Sequence, residues 1–104
     1  MKQEINSVYR LKAGPPLNVP EEVYATLGSF KGEVNLQWDA VERARQYVIQ
    51  VAAGNSGKWR QVDIICSPNY MLDGLQSGRT YLFRVSAVFK EGQGPWSKAV
   101  SKKL

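Results

Sequence analysis

From residue 17 onward, hydrophobic and polar side chains alternate with a period of two, the pattern of strands that bury one face. Val23, Ala25 and Leu27 form a first run that stops at Gly28. Val34, Leu36 and Trp38 alternate with Asn35, Gln37 and Asp39 in a second. Tyr47, Ile49 and Val51 alternate with Val48, Gln50 and Ala52 in a third, which ends at Gly54-Asn55-Ser56-Gly57. A shorter run follows over Trp59–Ile64, then Tyr70 and Leu72 before Asp73-Gly74. The strongest run sets Tyr81, Phe83, Val85 and Ala87 against Leu82, Arg84, Ser86 and Val88. It closes at the turn Glu91-Gly92-Gln93-Gly94-Pro95, and Trp96–Lys102 supplies a last strand. This rhythm predicts seven strands in an all-β antiparallel sandwich or barrel.

The pattern begins only after Ala13-Gly14-Pro15-Pro16, which can continue neither a helix nor a central strand. Before it, Ile5, Val8, Tyr9 and Leu11 are too few to build a core, so residues 1–16 read as an extension or linker and residues 17–104 as the domain. A short amphipathic helix over residues 3–12 is the alternative. Met1–Asn6 lacks the unbroken apolar core of a signal peptide.

Composition narrows the chemistry. At 104 residues the chain holds one domain, and it contains no histidine. Ser-His-Asp and Cys-His nucleophile systems and His-ligated zinc therefore drop out. Cys66 is the one cysteine, which excludes an internal disulfide and reads as a small buried hydrophobe. The net charge of +5 is carried by the ends, because residues 17–97 hold eight basic and eight acidic side chains. A nucleic-acid reader carries its positive charge on the folded surface, so no nucleic-acid partner is expected. No run approaches the roughly 20 apolar residues of a membrane span.

Two segments carry a family resemblance. Leu75-Gln76-Ser77-Gly78-Arg79-Thr80-Tyr81 places a Leu, a Gly turn and a Tyr ahead of a long alternating strand. It resembles the tyrosine corner, in which the ring turns inward and the hydroxyl meets backbone a few residues upstream. Gly32–Val41 with its Trp38, followed by Ala44 and Tyr47–Val51, is similar to strands B and C of fibronectin type III domains. Gly92-Gln93-Gly94-Pro95-Trp96-Ser97 resembles that family's F–G turn. The resemblance covers residues 17–104 and implies sheets A-B-E and C-C′-F-G. Its inward set would be Val23, Leu36, Trp38, Tyr47, Ile49, Val51, Leu72, Leu75, Tyr81, Phe83, Val85 and Ala87. Within that core, Trp38, Tyr47, Leu75, Tyr81 and Phe83 are the structural anchors, with the Tyr47 hydroxyl expected at a wet rim.

Candidate chemistry is sparse. Glu21, Glu22, Asp39 and Glu42 lie at loops, without an apolar pocket to make an acid–base pair of them. The turns Gly54–Gly57 and Gly92–Gly94 lack both the phosphate-loop pattern and a following helix. Trp59, Tyr70, Phe89 and Trp96 fall near strand ends or loops and form the candidate binding surface, since large aromatics anchor interfaces. Trp96-Ser97 resembles half of the Trp-Ser box of cytokine receptors, but Ala99-Val100 replaces the second half. A stack of Arg84 on Trp96 is expected all the same. Val48 and Val88 are the outward apolar exceptions on their strands.

The resulting expectation is a monomeric, non-enzymatic interaction or spacer module without cofactor or metal. It belongs in a larger extracellular or cell-envelope protein, and a cytoplasmic setting stays open. Its partner would be a protein or a neighbouring domain. The alternative is a carbohydrate-associated accessory module of a secreted bacterial hydrolase, with Trp59 and Tyr70 as sugar contacts.

Overall fold

Residues 46–53 and 80–89 make the two longest strands, β3 (Gln46–Ala53) and β6 (Thr80–Phe89), because alternation there is unbroken and rich in Val, Ile, Tyr and Phe. The shorter runs form β1 (Tyr24–Leu27), β2 (Val34–Gln37), β4 (Arg60–Ile65), β5 (Asn69–Leu72), β7 (Gly92–Trp96) and β8 (Val100–Lys103). The structure, a computed structural model, describes residues 18–104; the extension read over residues 1–16, with its alternative helix, lies outside them. Among the described residues there is no helix.

The strands form two antiparallel sheets. One has the order β1-β2-β5; the other runs β4-β3-β6-β7, with β8 also pairing β6. Between them lie Val34, Leu36, Trp38, Tyr47, Ile49, Val51, Leu72, Leu75, Tyr81, Phe83, Val85, Ala87 and Phe89, all buried. Trp38 meets Tyr47 edge-on, with ring centroids 5.3 Å apart. Val23 is half-buried and packs at the margin of this cluster.

Three differences from the sequence reading have physical causes. First, the final lane of the large sheet is two strands rather than one. Residues 92–95, read as a turn, join Trp96 in a strand that pairs with Ser86–Phe89, while β8 pairs with Thr80–Phe83. Pro95 is tolerated because this lane is an edge, where a missing N–H breaks no ladder. Ser97 bridges the gap: its N–H donates to the Val85 carbonyl at 2.8 Å, and the Val85 N–H donates to Ser97 Oγ at 3.0 Å. Second, Val48 faces outward yet is buried, as are Ala52 and Ser86, so the middle of the large sheet is covered on both sides. Third, Cys66 is exposed. β4 ends one residue earlier, and Cys66 opens the bend Cys66–Pro68 that crosses to the other sheet.

Both core tyrosines close a turn. The Gln76 N–H donates to the Tyr81 hydroxyl at 3.0 Å, the tyrosine corner. The Val41 N–H donates to the Tyr47 hydroxyl at 2.9 Å, so that hydroxyl holds the β2–β3 connection instead of resting in water.

The strand directions leave the connections at two ends. Residues 28–33, 54–59 and 73–79 gather at the end where Leu104 lies; residues 38–45, 66–68 and 90–91 gather at the opposite end, where the chain enters at residue 18.

Candidate functional site

The outer face of the large sheet holds one built feature. Arg84 on β6 points away from the core, since its neighbours Phe83 and Val85 point into it. Directly opposite on β3 stands Gln50. Its Oε1 accepts hydrogen bonds from Arg84 Nε at 2.9 Å and Nη2 at 2.7 Å, which fixes the guanidinium plane. Trp59, immediately before β4, brings its ring centroid to 4.2 Å from Arg84 Cζ. Trp96 at the end of β7 lies at 4.4 Å. One cation is thus held by two indoles from opposite edges of the sheet, each contact contributing about 0.5–1 kcal/mol at an exposed site and about 2 when desolvated. Both tryptophans are half-buried. Ile64, 46% exposed and paired with Val48, extends the same face.

The four aromatics named from the sequence do not form one surface. Trp59 and Trp96 meet through Arg84. Tyr70 sits on β5 opposite Leu36, facing the space between the sheets, and its hydroxyl donates to Asp63 Oδ2 on β4 at 3.0 Å. Burial first, and then this carboxylate, push the Tyr70 phenol above its ordinary pKa. Phe89 is only 3% exposed and belongs to the core. β6 runs one residue further than Val88, and Phe89 continues the inward series of Tyr81, Phe83, Val85 and Ala87. Trp59 and Tyr70 therefore offer no common platform to a sugar ring.

Trp59 as the second half of the stack was not foreseen. Its parity was legible back to Gln61, which pairs with Gln50. A bulge between Ile49 and Gln50 then sets Val62 off the ladder, so simple alternation along 59–64 could not place both ends of that run.

Glu21, Asp39 and Glu42 line an open depression with Val19 and Val41 at the end where the chain enters, and all three carboxylates are exposed. Among the described residues no cluster of His, Cys, Asp and Glu fit for a metal occurs, and no helix is long and apolar enough to cross a membrane. What the outer face can do is recognise: it presents indole edges, an apolar Ile and a guanidinium held in one orientation.

Comparison with known proteins places this geometry. The family model for the fibronectin type III domain matches residues 18–103. The chain is 40% identical over 90 residues to mouse receptor-type tyrosine-protein phosphatase F, a match that takes in 83% of the chain and 4% of that protein. It is 35% identical over 86 residues to striated-muscle M-protein of chicken, covering 76% of the chain and 6% of that protein. Among solved structures, a Fn3-like protein from Clostridium thermocellum superposes with a TM-score of 0.77 at 26% identity, over 86% of this chain and 98% of that one. The chain thus spans only a small part of the curated relatives it matches.

Proposed function

Because the chain belongs to the fibronectin type III family, we propose that it serves as a non-enzymatic interaction or spacer module of a larger extracellular or envelope protein. Trp59, Arg84 and Trp96 are its protein-binding face. The stack itself carries the reading. A guanidinium clamped by Gln50 between two indoles is preorganised, and binding by preorganised Trp and Arg loses little side-chain entropy. The module's place in a larger protein is supported by relatives many times its length. The extracellular or envelope setting rests on the receptor-type relative, and the muscle relative is the reason a cytoplasmic setting stays in view.

A photo-crosslinking residue in place of Ile64 tests this in the native cells, with one in place of Thr26 on the other sheet as control. The expected result is a single protein crosslinked from position 64, lost in Trp59→Ala and absent from position 26. Equal crosslinking from both positions would overturn it. So would glycan binding by the isolated domain that Trp59→Ala abolishes, which would instead favour the accessory-module reading.

A further inference from the structure

Arg84 carries a charge that its own sheet leaves unmatched. A guanidinium has five N–H donors. The Nε donor and one on Nη2 go to Gln50 Oε1, at 2.9 and 2.7 Å, and that acceptor is a neutral amide. Among the described residues no acceptor takes the other three, so the Nη1–Nη2 edge is an open fork. Two parallel N–H donors of this kind match the two oxygens of a carboxylate. Trp59 and Trp96 crowd the same guanidinium at 4.2 and 4.4 Å and displace water from it. A charge-assisted hydrogen bond made in such a water-poor setting is stronger than one made in bulk.

The rest of the face offers no anion to Arg84 and no row of cations beside it. The five strands of the large sheet contain a single acidic residue, Asp63, and it reaches Tyr70 of the small sheet instead. Val48, Ala52, Leu82, Ser86 and Ile64 face outward with Arg84 and are uncharged. Among the outward strand positions the other cation is Lys103, opposite Thr80. That is four residues along β6 from Arg84, about 13 Å. A polyanion would find no line of positive charge here. One carboxylate among apolar neighbours finds both the fork and the Ile64–Val48 surface.

We propose that the open fork of Arg84 takes the carboxylate of an Asp or Glu side chain on a protein partner, with the partner's adjacent apolar residues covering Ile64 and the indole edges. This rests on the outer face being the protein-binding face, and it names the group by which the partner is recognised. Gln50 is the positioning residue: it holds the guanidinium in plane while leaving its charge unspent.

The test uses the full 104-residue chain, 15N-labelled and held at low salt so that charge pairing is not screened. The probe is the capped tripeptide acetyl-Leu-Glu-Leu-amide, with its Gln twin as control. The Arg84 Nε–H and the Trp59 and Trp96 indole N–H signals are expected to shift saturably with the Glu peptide, and the Gln twin should bind roughly tenfold more weakly. Gln50→Glu supplies the guanidinium with a carboxylate from its own sheet. It should weaken the Glu peptide roughly tenfold as well, while the melting temperature holds or rises. Twins that bind alike, or a Gln50→Glu domain that binds as the parent does, would overturn carboxylate recognition and leave an apolar protein-binding face. A heparin tetrasaccharide that moves the same three signals further than the Glu peptide at equal concentration would overturn it in favour of a sulfated glycan. No shift with either peptide overturns it too, and the crosslink from position 64 then decides separately whether the face binds protein at all.

Discussion

Tyr81 and Tyr47 do the same job at opposite ends of the sandwich, each accepting from a backbone N–H that would otherwise be orphaned beside the core. Replacing either with Phe keeps the ring and strands that donor, at about 1–3 kcal/mol. Urea denaturation should therefore find Tyr81→Phe and Tyr47→Phe comparably costly, and a neutral Tyr47→Phe would show that water reaches Val41. The Tyr81 bond was legible because a Leu, a Gly turn and a Tyr in close order are a local motif. The Tyr47 bond was not, since its partner depends on how the β2–β3 connection folds back. Local spacing likewise could not expose Cys66, whose burial hangs on where β4 ends.

At the level of elements, the β1–β2 turn is locked by contact as well as by conformation. Gly32 has φ +81°, and a Cβ there would come within 2.5 Å of the Leu75 carbonyl oxygen. Gly74 has a similar φ of +77° but open space around it. Gly74→Ala should cost about 1–2 kcal/mol from backbone strain alone, and Gly32→Ala about 2–4 kcal/mol, because the β5–β6 connection must also move. Thermal melts of the two variants read the difference, and equal losses would mean that the two turns are not coupled. Inward faces were legible from alternation, which is why β2, β3 and β6 lie where the sequence put them, and the division into two sheets came from the family resemblance. Edges were less legible. β4 carries a bulge and β7 a proline, and in both the hydrogen-bonded partner, rather than the side-chain pattern, decides what is strand.

Across the whole molecule, one hydrogen bond clasps the open side of the sandwich: Tyr70 of the small sheet donates to Asp63 at the edge of the large one. The phenol's pKa is raised on folding, so the folded state holds this proton more tightly than the unfolded chain. The stability it confers is fully present below the ordinary tyrosine value and is lost as pH rises through the higher folded value. Tyr70→Phe should thus be less stable than the parent at about pH 8, and the gap should close above about pH 10. Urea midpoints on either side of that range check it; a gap that widens with pH would place the clasp elsewhere. A different consequence follows from the chain entering at one end and leaving at the other. Tension applied between residues 18 and 104 pulls along the strands, so it loads the β1–β2 and β6–β8 hydrogen bonds in shear, all at once, instead of unzipping them one by one. With four residue pairs in each ladder, β1 and β8 are the elements that give first. Once β8 has gone, the pull passes through residues 97–99 to the end of β7, so Trp96 is the part of the stack loaded next, while Arg84 and Gln50 stay paired on β6 and β3.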